Sequence, residues 1–213
     1  MSTTIRELEP KEVWNRFADI NAVPRPSKKE QKITAFMVDF GKKLGLETTS
    51  DAYGNVIIRK PATAGLEQKK PIILQSHLDM VCQKNNDTVF DFDNQGIETY
   101  IDGDWVRAKG TTLGADNGMG VAAIMAILES KTIAHPALEA LFTTDEETGM
   151  TGAQKLSNDA LKGEILLNLD TELDTEIEIG CAGGIDVSAY ADYKEEATPS
   201  DVVAYHIVVT GLL

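Results

Sequence analysis

Two periodicities of apolar residues alternate along this chain. From Pro10 to Ile20 the side chains of Val13, Trp14, Phe17 and Ile20 recur at helical spacing, and Asn21 to Pro26, with two prolines, ends that helix. Ser27-Lys28-Lys29-Glu30 has the form of a capping box and opens a second helix, with Ile33, Phe36, Met37, Phe40 and Leu44 on one face and Gly45 as its C-cap. Leu46–Thr49 and Asn55–Lys60 read as strands joined by Asp51-Ala52-Tyr53-Gly54. Pro71 then bounds Ile72, Ile73 and Leu74, an unbroken apolar run of the kind that a buried strand shows. The polar loop Gln83–Gly96 carries Phe90 and Phe92, and Ile97–Ile101 with Trp105–Lys109 flank Asp102-Gly103 as a hairpin. Glycine-punctuated residues 110–120 lead into Val121–Leu128, nearly all apolar and therefore a buried helix. Leu138–Thr144 predicts a strand, Thr151–Leu156 a short helix, and Glu164–Leu169 a further buried strand ending at Asp170. Ile177–Ile179, Ile185–Tyr193 and Val202–Val209 predict a β-rich end. Strands alternating with helices define the class as α/β, with a mixed, mostly parallel central sheet flanked by helices.

Composition narrows the functions open to such a chain. Its 213 residues suit one domain, or one and the start of another, and 42% hydrophobic with 25% charged residues is ordinary for a globular protein. The formal net charge of −14 argues against binding nucleic acid through its phosphates and against docking on an anionic membrane. Two cysteines, Cys82 and Cys181, without C-x-x-C spacing do not make a disulfide scaffold. No apolar signal region follows Met1 and no run approaches membrane-spanning length, so a cytoplasmic setting is expected. The sequence stops at Thr210-Gly211-Leu212-Leu213, straight out of an apolar strand, and reads as a cut rather than a natural end.

Chemistry gathers where the apolar runs stop. Ile72–Ser76 delivers His77 and Asp79, Leu138–Thr144 delivers Asp145, Glu146 and Glu147, and Ile165–Leu169 delivers Asp170, while Asp116 stands before the buried helix. An imidazole and a carboxylate two residues apart suit a metal ligand and the group that orients it. Each pattern alone has a plainer explanation. The histidine could be a solvated loop residue, Asp116 a helix cap, Asp145-Glu146-Glu147 a solvated acidic turn, and Asp170 the start of a turn. Together they explain poorly why acidic groups recur at strand ends. If the strands are parallel neighbours, these ends converge, and crowded carboxylates with one imidazole call for a cation.

The segments H-L-D-M-V-C-Q-K-N, T-T-L-G-A-D-N-G-M-G, D-E-E-T-G-M and L-N-L-D-T-E resemble, in order, the motifs of the co-catalytic zinc exopeptidases, the group of carnosinases, aminoacylases and glutamate carboxypeptidases. More closely, the sequence is similar to the bacterial aminoacyl-histidine (Xaa-His, β-alanyl-histidine) dipeptidases from about Leu8 to its last residue. The resemblance implies a zinc-exopeptidase-like catalytic domain that hydrolyses dipeptides such as β-Ala-His by a metal-bridged water. It implies two Zn2+ per complete site, with Co2+ or Mn2+ as acceptable substitutes. His77 and Asp170 would bind the first metal, Glu147 the second, and Asp116 would bridge them. Asp79 would orient His77, Glu146 would be the general base, and the Asp116–Asn117 peptide bond would be cis.

Two catalytic zinc sites sharing one residue need about five protein ligands. The chain supplies four, His77, Asp116, Glu147 and Asp170, and the family's fifth is a histidine far downstream. Neither His135, in a loop before Pro136, nor His206, inside Val202–Val209, fits that place; both read as structural. The chain is therefore expected to be the amino-terminal part of the catalytic domain, with about 200–213 as the start of a lid domain. Alone it is expected to be inactive and incompletely occupied by metal, and the full-length protein is expected to be a homodimer. Two other readings use the same residues, a related zinc amidohydrolase (a tripeptidase or an N-acyl amino acid deacylase) and a non-catalytic metal-binding module. Glu146 counts against the last, since a purely structural site has no use for a free base.

Overall fold

The computed structural model describes residues 4–171, 173, 175–180, 183–185 and 187–207. The chain forms two units, Met1–Asp174 and Thr175–Leu213. In the first, a short 3-10 turn at Ile5–Glu7 precedes helices α1 (Lys11–Asn21) and α2 (Gln31–Lys43). Strands β1 (Glu47–Ser50), β2 (Val56–Lys60) and β3 (Ile72–His77) follow, then the hairpin β4 (Thr99–Asp102) and β5 (Trp105–Ala108). Helix α3 (Ala115–Glu129), strand β6 (Leu138–Thr143), the short helices α4 (Glu146–Gly149) and α5 (Thr151–Lys155), and strand β7 (Ile165–Asn168) complete it.

The predicted α/β architecture is present. The central sheet has the order β1-β2-β6-β3-β7; β3 runs parallel to both β6 and β7, while β1–β2 and β2–β6 are antiparallel. Side chains alternate across it with the period of two that a pleated strand imposes. Val56, Ile58, Leu74, Leu138, Ala140 and Phe142 join the main core with Phe17 and Ile20 of α1, Ile33, Met37 and Phe40 of α2, and Val121, Ile124 and Met125 of α3. On the opposite face Ile57, Ile73 and Leu141 pack under Leu156, Ala160 and Leu161. The register sets His77 opposite Thr143 and Gln75 opposite Asn168, so the carboxyl ends of β3, β6 and β7 lie side by side.

Three expectations need correction. Ser27 and Glu30 do not form a capping box. The Ser27 hydroxyl donates instead to Asp79 Oδ2 at 2.8 Å, Glu30 Oε1 accepts from the backbone N–H groups of Lys28 and Asp145, and α2 starts at Gln31 without a side-chain cap. Buried tertiary partners outcompete the local cap. Strand β7 pairs as expected but is not buried: Ile165, Leu166 and Leu167 are 42, 52 and 47% exposed, because β7 is the last strand of the sheet and its faces are uncovered. In the second unit, the described residues of the predicted strands Ile177–Ile179, Ile185–Tyr193 and Val202–Val209 are not in strands. Ile177, Ile179, Ile185, Tyr190, Tyr193 and Ile207 are exposed, and so is His206. An apolar run becomes a strand only where a neighbour pairs its backbone groups, and the described residues of these segments are unpaired. Asp186, Cys181 and 208–213, the last including the predicted chain-end signal, lie outside the described residues. No helix of the described residues is long and apolar enough to cross a membrane.

Candidate metal centre

His77 ends β3 with its ring buried, 1% exposed. Nδ1 lies 3.0 Å from the backbone carbonyl of Asp79, an acceptor only, so Nδ1 carries a proton and Nε2 is the ring nitrogen left to face the carboxylates, and a cation in their place. Nε2 faces three carboxylates: Asp116 Oδ1 at 3.0 Å, Asp170 Oδ1 at 3.7 Å and Glu146 Oε2 at 3.9 Å. Burial lowers the imidazole's pKa, but the hydrogen bond that the ring donates to Asp79 and the charges of Asp170 and Asp79 outweigh it and raise the value to about 9.

Each carboxylate arrives from a different element. Asp116 follows Gly114, which adopts φ 70°, and Asp116 and Asn117 depart from helical geometry inside the first turn of α3. The Asp116–Asn117 bond is cis, as the resemblance implied. The Asn117 side chain donates to the Leu169 carbonyl and to Asp170 Oδ1, both at 2.9 Å, and so ties the exit of β7 to the start of α3. Past β6, Asp145 takes the left-handed conformation (φ 55°, ψ 43°), which turns the chain sharply and opens α4 with Glu146 and Glu147. Their backbone N–H groups donate to Asp79 Oδ1 and Oδ2 at 3.0 and 3.2 Å. Asp79 is wholly buried; burial pushes its carboxyl up, but the bonds from His77, Glu146 N–H and Ser27 prevail and hold it below the usual carboxylate range.

The exposed rim of the cluster is electrostatically strained. Burial raises the pKa of Glu146, Glu147 and Asp170, and neighbouring carboxylates push each of them further upward. Two of the donor trios among the described residues contain the imidazole and can hold a divalent ion, His77 with Glu146 and Asp170, and His77 with Asp116 and Glu147, the donor atoms of each lying within 4.8 Å of one another; a third, Glu30 with Asp79 and Asp145, is all carboxylate and buried. Imidazole nitrogen with carboxylate oxygens suits zinc, cobalt or manganese, and a cation would relieve the repulsion, so the residues fit a metal.

The structure thus brings together all six residues singled out in the sequence: His77, Asp79, Asp116, Glu146, Glu147 and Asp170. His135 is elsewhere, its ring nitrogen 2.7 Å from the Pro136 carbonyl. Four supporting residues escape a reading of the sequence alone. Ser27 and Glu30 mimic a local cap, and Asn117 is named in the sequence only for its peptide bond, not for the side-chain bonds that it makes to Leu169 and Asp170. Asp145 resembles a solvated turn residue, yet it is buried and receives the hydroxyls of Thr148 and Thr151.

Parallel strand ends that carry an imidazole and clustered carboxylates define the chain as an α/β protein with a candidate metal centre. Residues 55–202 match peptidase family M28, and the chain belongs to that family. It is 46% identical over 208 residues, 98% of this chain and 43% of the relative, to the cytosol non-specific dipeptidase of Escherichia coli (strain K12). Among solved structures it is similar to the aminoacylhistidine dipeptidase from Vibrio alginolyticus, with a TM-score of 0.79 and 50% identity over 81% of this chain and 35% of that one. It is also similar to the aminopeptidase PepT from Bacillus cereus, with a TM-score of 0.64 and 26% identity over 76% of this chain and 43% of that one. The chain spans less than half the length of these relatives.

Proposed function

We propose that the protein supplies the metal-binding part of a cytoplasmic zinc-dependent dipeptidase acting on Xaa-His dipeptides, β-Ala-His (carnosine) among them. The observation that supports this best is the meeting of five donor side chains, His77, Asp116, Glu146, Glu147 and Asp170, at three parallel strand ends and one helix start. His77 and Asp170 would hold one zinc ion, Glu147 the other, and Asp116 would be shared by both. Although the two donor trios share His77, its Nε2 offers a single lone pair, whereas the Asp116 carboxylate has two oxygens with which to bridge. Bound there, the ions would supply Lewis acidity towards the attacking water and the scissile carbonyl. The remaining work falls to the protein. Asp79 fixes the His77 ring and, through the N–H groups of Glu146 and Glu147, the start of α4. Glu146, whose pKa burial raises, takes a proton from the attacking water and returns it to the leaving amine.

The names of the relatives from Escherichia coli and Vibrio alginolyticus support a dipeptide substrate, and the former supports the cytoplasm. On this reading residues from about 200 begin a lid domain and the full-length protein is a homodimer. The four ligands of the 213-residue chain bind metal incompletely, most weakly at Glu147, and the chain alone turns over little substrate. The word "non-specific" in the name of the Escherichia coli relative favours a second reading, a dipeptidase without preference for histidine. Assay of the intact protein with β-Ala-His, other dipeptides, a tripeptide and an N-acetyl amino acid separates these from a tripeptidase or deacylase. In the same assay Glu146→Gln is expected to lower kcat by about 10²–10⁴-fold while zinc affinity, measured by calorimetry, is retained. Turnover that survives the substitution removes Glu146 as the base, and retained folding without zinc binding rejects the metal centre.

A further inference from the structure

Arg25 lies between α1 and α2, buried within electrostatic reach of Asp79, Asp116 and Glu147 but hydrogen-bonded to none of their carboxylates. Its guanidinium is buried, 2% exposed, and all four of its acceptors are neutral. Nη1 donates to the carbonyls of Leu78 and Asp79, both at 3.1 Å; Nη2 donates to the Gly114 carbonyl at 2.5 Å and to Asn21 Oδ1 at 3.4 Å. Burying a cation on neutral groups costs stability, and an apolar residue of similar volume would pack there without that cost. The glycines around it make room for the fork: a Cβ on Gly114 would collide with Nη2, and one on Gly118 would come within 2.8 Å of it.

What the fork joins gives it a use. Leu78 and Asp79 are the residues directly after His77, and Gly114 is the turn residue two positions before Asp116. The Asp79 carbonyl that accepts from Arg25 is also the one that accepts from His77 Nδ1. We propose that Arg25 is a positioning residue of the metal centre, which clamps the backbone leaving β3 to the turn entering α3 and so keeps His77 Nε2 and Asp116 Oδ1 within reach of one cation. This rests on the reading of His77 and Asp116 as ligands. A planar guanidinium bonds two separate strands of backbone from its two ends, which a lysine ammonium on a flexible stem does not reproduce.

The test compares wild type, Arg25→Lys and Asn21→Ala by titration with cobalt(II), whose visible band reports ligand geometry, together with urea unfolding of the metal-free proteins. Arg25→Lys is expected to weaken cobalt binding by the folded protein at least about tenfold and to alter the band, as loss of a group that orients ligands does. Asn21→Ala, which removes one acceptor and leaves the guanidinium in place, is expected to fall between them, and it decides the matter if Arg25→Lys does not fold. Wild-type affinity and band in the folded variants overturn the proposal. So does a loss of metal-free stability with unchanged affinity in the folded fraction, which makes Arg25 a general packing residue. Wild-type protein that takes up no cobalt overturns the ligand assignment itself, a result distinct from either.

Discussion

A carboxylate sealed from water has to find its donors inside the protein, and Asp79 finds three, the Ser27 hydroxyl and the N–H groups of Glu146 and Glu147, with the His77 ring beside them, its Nδ1 3.5 Å from Oδ1. Asp79→Asn keeps the shape but replaces one acceptor oxygen with an NH2 group that faces donors. The expected result is a loss of zinc affinity of about 10–100-fold, read by calorimetric titration, with a parallel loss of turnover. Only part of this role is legible in the sequence. The H-x-D spacing places Asp79 behind His77 because both lie on one local segment. The N–H groups of Glu146 and Glu147 are 67 and 68 residues away, and only the pairing of β3 with β6 brings them to the same carboxylate.

Strand β6 is buried along its whole length and yet contains a charge, Glu139. Its carboxylate accepts from Arg59 Nε at 2.9 Å and from the N–H groups of Lys162 and Gly163 at 2.6 and 2.7 Å, tying β6 to β2 and to the segment before β7. Burial raises its pKa, but these donors prevail and hold it below its ordinary value of 4.5. A depressed pKa contributes stability above the unfolded-state value and loses it as pH falls through the folded-state value. Glu139→Gln is therefore expected to cost about 1–3 kcal/mol in urea unfolding at neutral pH, and the gap from wild type should close on acidification below 4.5. Run length and apolar content identify the strands themselves, and so β3, β6 and β7 stand close to their predicted bounds. Whether a strand is covered depends on neighbours that local pattern does not encode, which is why β7 is found with Ile165–Leu167 exposed and why Ile177–Ile179 forms no strand.

Across the whole molecule a formal charge of −14 is ordinary surface acidity except where Glu146, Glu147, Asp116 and Asp170 crowd around one imidazole. That crowding opposes folding until a cation arrives, so stability is linked to metal. Zinc free at about 100 times its dissociation constant is expected to stabilise the fold by about 2.7 kcal/mol, seen as a higher unfolding temperature that a chelator reverses. An unchanged transition would mean that zinc does not bind the folded state. The sheet register has a consequence of its own. His77 stands opposite Thr143. Sliding β3 by a single residue would move His77 by about 3.3 Å and turn its ring to the other side of the sheet. No half-aligned version of the centre exists between those two positions. Misalignment here would act as an on–off fault: a misregistered molecule would contribute nothing to activity, and a preparation containing such molecules would show fewer working sites rather than weaker ones.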